Sequence, residues 1–162
     1  MTIQRRQMPA ISVEDVPRGK ARAQVAALCW RNREGGLRIL LVTSRDTGRW
    51  VLPKGWPIEG LTASEAAARE AWEEAGVEGK VRKKPLGRFA YHKHLGPEKA
   101  VPCVVDVFAL KVKSLADTFP EADQRKRKWF APDEAAARVD EPDLKALLRG
   151  FAPKGGDDTP ET

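Results

Sequence analysis

The sequence predicts an α/β fold, with mixed sheet packed against helices in one layered domain. Three observations carry that expectation. Runs dense in leucine and β-branched residues recur along the chain, separated by turns that contain Gly or Pro. One alanine-rich stretch, TASEAAAREAWEEAGV (62–77), has start and stop signals of a helix. Two further helical patterns follow the last of the strand-like runs. Composition agrees: 162 residues with 41% hydrophobic and 32% charged content suit one folded domain with a real core. No internal repeat is visible.

Residues 1–19 are mixed polar with Pro9 and Pro17, and read as an extended arm before a domain at 20–152. AQVAALCW (23–30) reads as a strand, RNREGG as a turn and LRILLVTS (37–44) as its hairpin partner. RWVLP (49–53) reads as a short strand ended by Pro53, and PKGWPIEG (53–60) as a loop. Thr62 or Ser64 can cap the helix that follows, Glu65 completes a capping box with Thr62, and Gly76 stops it. Residues 79–94 contain strand broken near Pro85. LGPEK (95–99) then turns the chain into a long strand at 100–112. After a charged loop, WF (129–130) belongs to a short edge strand. PDEAAARV (132–139) and EPDLKALLRGF (141–151) read as helices, with Pro142 in a first turn. The tail 153–162, PKGGDDTPET, reads as disordered.

The net charge of +6 favours an anionic partner: a phosphorylated small molecule, nucleic acid or an acidic surface. Cys29 and Cys103 sit in apolar runs without zinc spacing, and read as small buried hydrophobes of a reducing compartment. The N-terminal stretch lacks the apolar core of a signal peptide. No run approaches the roughly 18 apolar residues of a membrane span. A cytoplasmic protein with no membrane partner is expected, with its oligomeric state left open.

The chemistry concentrates in REAWEEAGV (69–77). Helix spacing puts Glu73 at i+3 and Glu74 at i+4 from Glu70, so three like charges crowd one face at a cost in stability. A hard divalent cation such as Mg²⁺, or alternatively Mn²⁺, would turn that repulsion into attraction and bring phosphate with it. The other reading of these residues alone is a solvated acidic face. Arg69 adjoins the cluster and can orient a carboxylate.

The stretch from Gly55 through Leu61 to R69-E70-A71-W72-E73-E74-A75-G76-V77 resembles the Nudix box, the loop–helix signature of the Nudix hydrolases. The resemblance implies a Nudix α/β/α sandwich around a mixed β-sheet, and metal-dependent hydrolysis of a phosphoanhydride. It implies Glu70, Glu73 and Glu74 as metal ligands joined by the backbone carbonyl of Lys54, Glu70 before Glu74 as the base, and Arg69 as the residue that orients them. Two positions depart from the pattern. Leu61 stands where the family has its first glutamate, with Glu59 nearby but out of register, and Ala71 is smaller than the usual aliphatic residue.

RWVLPKGW and QRKRKWF (124–130) resemble segments of the diphosphoinositol polyphosphate phosphohydrolases, the former also of the asymmetric diadenosine polyphosphate hydrolases. That narrower resemblance implies a small-molecule polyphosphate as substrate. Arg45, Arg49, Lys54, Gly55, His92, His94, Lys99, Arg125 and Arg127 are the substrate-binding candidates, with Lys93 and Lys126 beside them. Trp56, Tyr91 and Phe89 are candidates to stack on an adenine ring, whereas Trp30, Trp50, Trp72 and Trp129 read as packing residues. Nucleic acid is a less favoured partner. The alternatives are a nucleoside triphosphate or RNA 5′-end pyrophosphohydrolase and, in another class, a non-catalytic phospholigand sensor, for which Leu61 is the best support.

Overall fold

The computed structural model describes residues 9–153. Two expectations, for the start of the arm and nearly all of the tail, fall on residues outside that range. The hairpin forms as expected. β1 (Arg22–Arg33) and β2 (Gly36–Thr43) are antiparallel, joined at a turn where Gly35 and Gly36 take φ of 92° and 117°. β3 (Trp50–Val51) pairs with β2. The expected loop then holds a two-residue strand, β4 (Lys54–Gly55), which pairs with Val25 and Ala26 of β1. Its Gly–Pro composition hides it, because only a partner distant in sequence makes those two residues extended.

The helix α1 (Ala63–Ala75) follows. The backbone N–H of Glu65 donates to the Thr62 hydroxyl at 3.2 Å, and that of Thr62 to the Glu65 carboxylate at 2.8 Å. Gly76 ends α1 in the left-handed conformation, with φ 66°. β5 (Val77–Val81) and β6 (Gly87–Gly96) are the two pieces of the interrupted strand. Both lie antiparallel to β7 (Lys99–Leu115), while β1 runs parallel to it. β8 (Arg127–Phe130) joins β2, and α2 (Pro132–Arg138) and α3 (Pro142–Gly150) end the described fold. No described helix is long and apolar enough to cross a membrane.

Alternation along the strands builds two cores. Val25, Ala27 and Cys29 of β1 meet Ala67, Ala71 and Ala75 of α1 on one face. Ala26, Leu28 and Trp30 meet Leu144 and Leu148 of α3 on the other. The small side chains of α1 let the helix approach the sheet closely, which matters for the residues at its end. Both cysteines are free and buried, as expected. Trp30, Trp50 and Trp129 pack on the cores, and Trp72 is half-buried.

The described part of the arm is not simply extended. Residues Val13–Asp15 make one 3₁₀ turn, and the Val13 backbone N–H donates to the Asp143 carboxylate at 2.7 Å. Pro at 9 and 17 favours extended backbone only at its own position and the one before, leaving the residues between free to turn.

Candidate active site

Position on α1 decides what each glutamate can do. The buried arc runs through Ala67, Ala71, Glu74 and Ala75, so Glu74 points into the protein, with only 4% of its surface exposed. Glu70 sits at the edge of that arc and Glu73 beyond it. Glu70 and Glu74 therefore face each other, close enough for each to act on the other's carboxyl. Burial pushes the Glu74 carboxyl up to about 8, against the pull of Arg125 and Lys54. Burial also raises Glu70.

β4 supplies the opposing wall. A Cβ built on Gly55 would stand 2.5 Å from Cδ of Glu70 and 2.7 Å from both its carboxylate oxygens. Only glycine lets the backbone come this close to the acid. Glu70, Glu74, Lys54 and Gly55 line one cavity of about 950 Å³. Arg45, Arg49, His92, Lys93, His94 and Arg125 line it too. Trp56 stands in the same wall, 38% exposed, with the Lys93 ammonium 5.8 Å from its ring centre.

Several cations in the wall already have partners. Arg49 pairs with buried Glu141, Nη2 to Oε2 at 2.5 Å, and also with Asp140 at 3.7 Å. Burial works against its charge, but the Glu141 bond and the nearby acids leave the Arg49 pKa raised. Arg45 donates to Gln124 at 3.0 Å. The Arg125 side chain, only 10% exposed, donates to Glu121 at 2.8 Å and the Thr43 carbonyl at 3.0 Å, and lies 3.6 Å from Glu74. Lys54 projects over the Tyr91 ring, 4.9 Å from its centre, and burial lowers its pKa to about 8.

Several expected site residues do not line the cavity. Glu73 lies on the far side of Glu70, so the expected three-carboxylate cluster is a pair with a neighbour. Arg69 is exposed, and the cation at the acidic pair is Arg125. Arg127 turns to the end of α1, donating to the Ala75 carbonyl at 2.7 Å, where it caps the helix. Lys99 lies exposed at the β6–β7 turn, and Lys126, also exposed, bonds Thr43 through its backbone. Of the aromatic candidates, Phe89 is buried in the core at 1% exposure, and the Tyr91 hydroxyl donates to Gln24. Sequence reasoning missed Glu121, Asp140 and Glu141, which also line the cavity. Glu121 lies in a charged loop whose acids and bases are equivalent on paper, whereas its backbone N–H donates to the Glu73 carbonyl at 2.9 Å and fixes the loop on α1.

Among the described residues, no three acidic, histidine or cysteine side chains form a ready-made metal cage. Mg²⁺ does not need one, since it keeps several waters and takes one or two carboxylates together with substrate phosphates. The Glu70–Glu74 pair, drawn against glycine backbone, is an all-oxygen donor set of that kind.

Residues 20–151 match the family model described as the NUDIX domain. The chain belongs to the Nudix family. The unit from β4 through α1 is its Nudix box, and the sandwich with a mixed sheet and three helices is the Nudix fold. The mitochondrial Nudix hydrolase 13 of Arabidopsis thaliana is 37% identical over 107 residues, covering 63% of this Nudix chain and 53% of the relative. Diphosphoinositol polyphosphate phosphohydrolase 3-alpha of Homo sapiens is 31% identical over 116 residues, covering 69% and 65%. The match thus spans about half to two thirds of these curated relatives. The crystal structure of a C. elegans Ap4A hydrolase binary complex superposes with a TM-score of 0.62 at 21% identity, covering 80% of this chain and 93% of that one. That likeness is one of fold.

Proposed function

We propose that this chain is a hydrolase of phosphoanhydride bonds that uses Mg²⁺, with Mn²⁺ as a substitute. Its substrate is a diphosphoinositol or diadenosine polyphosphate, and of the two the diadenosine compound fits better. The observation that carries the reaction is the Glu70–Glu74 pair held against Gly55 in a cavity whose wall also carries Lys54, His92, Lys93 and His94. The names of the similar proteins support both substrate classes. Two features favour the diadenosine class. The cavity wall holds Arg45, Arg49, Lys54, Lys93 and Arg125 against Asp46, Glu70, Glu74, Glu121, Asp140 and Glu141. That balance is poorly suited to an inositol ring crowded with phosphates. Trp56 offers an exposed ring on which a base can stack.

Glu70 and Glu74, with the Lys54 carbonyl, would hold the metal. Glu73, outside the wall, is retained as a ligand by family resemblance alone. When bound, the metal supplies neutralisation of phosphate oxygens and acidifies a water. Glu70 is the base that takes the proton of the attacking water, with Glu74 second. His92, Lys93, His94 and the Lys54 ammonium bind the phosphate chain, and positioning of that chain is most of the work.

The test is a panel with and without Mg²⁺: diadenosine tetra- and hexaphosphate, a diphosphoinositol polyphosphate, nucleoside triphosphates, ADP-ribose and triphosphorylated RNA. Metal-dependent cleavage of a diadenosine polyphosphate is expected, falling at least about 100-fold in Glu70→Gln and in Glu74→Gln. Unchanged turnover in both variants would sink the assignment. Tight binding of one member with no turnover of any would favour a sensor instead. Leu61, which packs against the α1-side core where the family carries a glutamate, would then be the first position to restore.

A further inference from the structure

We propose that the segment from Pro9 to Val16 is a built wall of the substrate cavity that reads the non-phosphate part of the substrate. The identity of that substrate rests on the hydrolase reading above. Pro9, Ala10 and Ile11 line the same cavity as Glu70, Glu74 and Trp56. They precede residue 20, where the match to the family model begins.

The segment is tied down behind the point where it faces the cavity. The Val13 backbone N–H donates to Asp143 in the first turn of α3, and the Ser12 hydroxyl donates to Asp15 at 2.8 Å. The backbone N–H groups of Asp15 and Val16 donate back to Ser12 and Val13, both at 3.1 Å. Asp143 lies outside the cavity, so it acts on the wall only as an anchor.

The chemistry of the wall selects what it can touch. Pro9, Ala10 and Ile11 carry no side-chain donor, and Pro9 has no backbone N–H, so at most the two backbone N–H groups of Ala10 and Ile11 are on offer to a phosphate. They offer apolar surface in a cavity whose other lining is rich in charged and polar side chains. Trp56–Pro57–Ile58 is a second apolar stretch of the lining. A ligand with a flat, weakly polar end and a charged middle satisfies both kinds of surface, whereas an inorganic phosphate chain leaves the apolar side chains of this wall uncovered.

The experiment uses the full chain in Mg²⁺ buffer with two calorimetric probes, methylene-bridged diadenosine tetraphosphate and inorganic tripolyphosphate. Ile11→Ser should weaken the dinucleotide analogue about fivefold and leave tripolyphosphate within about twofold. Asp143→Ala should act in the same direction by releasing the anchor. Asp143→Asn, which keeps an acceptor for the Val13 N–H, should restore the affinity. Equal weakening of both probes, no change in either, or failure of Asp143→Asn to restore binding would overturn the proposal. Wild-type protein that binds the analogue but cleaves no panel member would sink the hydrolase reading alone and leave this comparison readable. Cleavage by wild type together with an unaffected Ile11→Ser would sink the wall alone, and wild type that neither binds the analogue nor cleaves any panel member would sink both.

Discussion

At Gly55 a single methyl group separates two outcomes. An alanine Cβ would be driven into the Glu70 carboxylate, which must then swing away from Glu74. Gly55→Ala should lower turnover by about two orders of magnitude, while the melting temperature moves by only a few degrees. A variant that stays fully active would mean that the close approach is dispensable. The box glutamates and this glycine were legible in the sequence because their spacing is local. What they touch was not. Helical spacing places Glu73 and Glu74 equally near Glu70, and only the packed face of α1 makes Glu74 the partner. Arg69 and Arg125 are both plausible partners for a carboxylate on paper, and the fold delivers Arg125. Phe89 and Tyr91 share one strand face, but alternation reports the face and not the depth. Phe89 is therefore core, while Tyr91 reaches the cavity.

Among the elements, α1 was the most legible, because its signals are its own: the capping box at Thr62 and the stop at Gly76. Gly76 also has crowded surroundings. A Cβ there would lie 2.5 Å from the Phe119 ring and 2.9 Å from both the Ala116 carbonyl and Nη1 of Arg127, at a backbone φ of 66°. Gly76→Ala should cost about 1 to 3 kcal/mol in urea unfolding, since strain and collision add. A cost near zero would mean that the loop after β7 yields freely. The elements that escaped reading depend on partners far along the chain. β4 is two residues long and exists because β1 is beside it. Nothing local to 100–112 says that this strand runs parallel to β1 and extends to Leu115.

For the whole molecule, two cores on opposite faces of one sheet leave little room for solvent at either cysteine. Burial pushes both thiols above their ordinary value of 9.0. A raised thiol pKa means less thiolate at any given pH, so neither Cys29 nor Cys103 should react with Ellman's reagent in the folded protein at pH 8. Both should react in urea. Fast labelling of either one without denaturant would show that its face of the sheet opens readily.

β7 carries a consequence in time as well as in space. It pairs with β1, β5 and β6, and its contacts with β1 join Arg22 to Cys103. Such long loops must close before their contacts repay the lost entropy, which slows folding relative to a chain of local hairpins. A nascent chain that ends short of Cys103 already holds the whole acidic helix, but has no central strand to complete the sheet beneath it. The chemistry written in residues 55–77 therefore becomes chemistry late, when the sequence from Cys103 onward arrives to seat it.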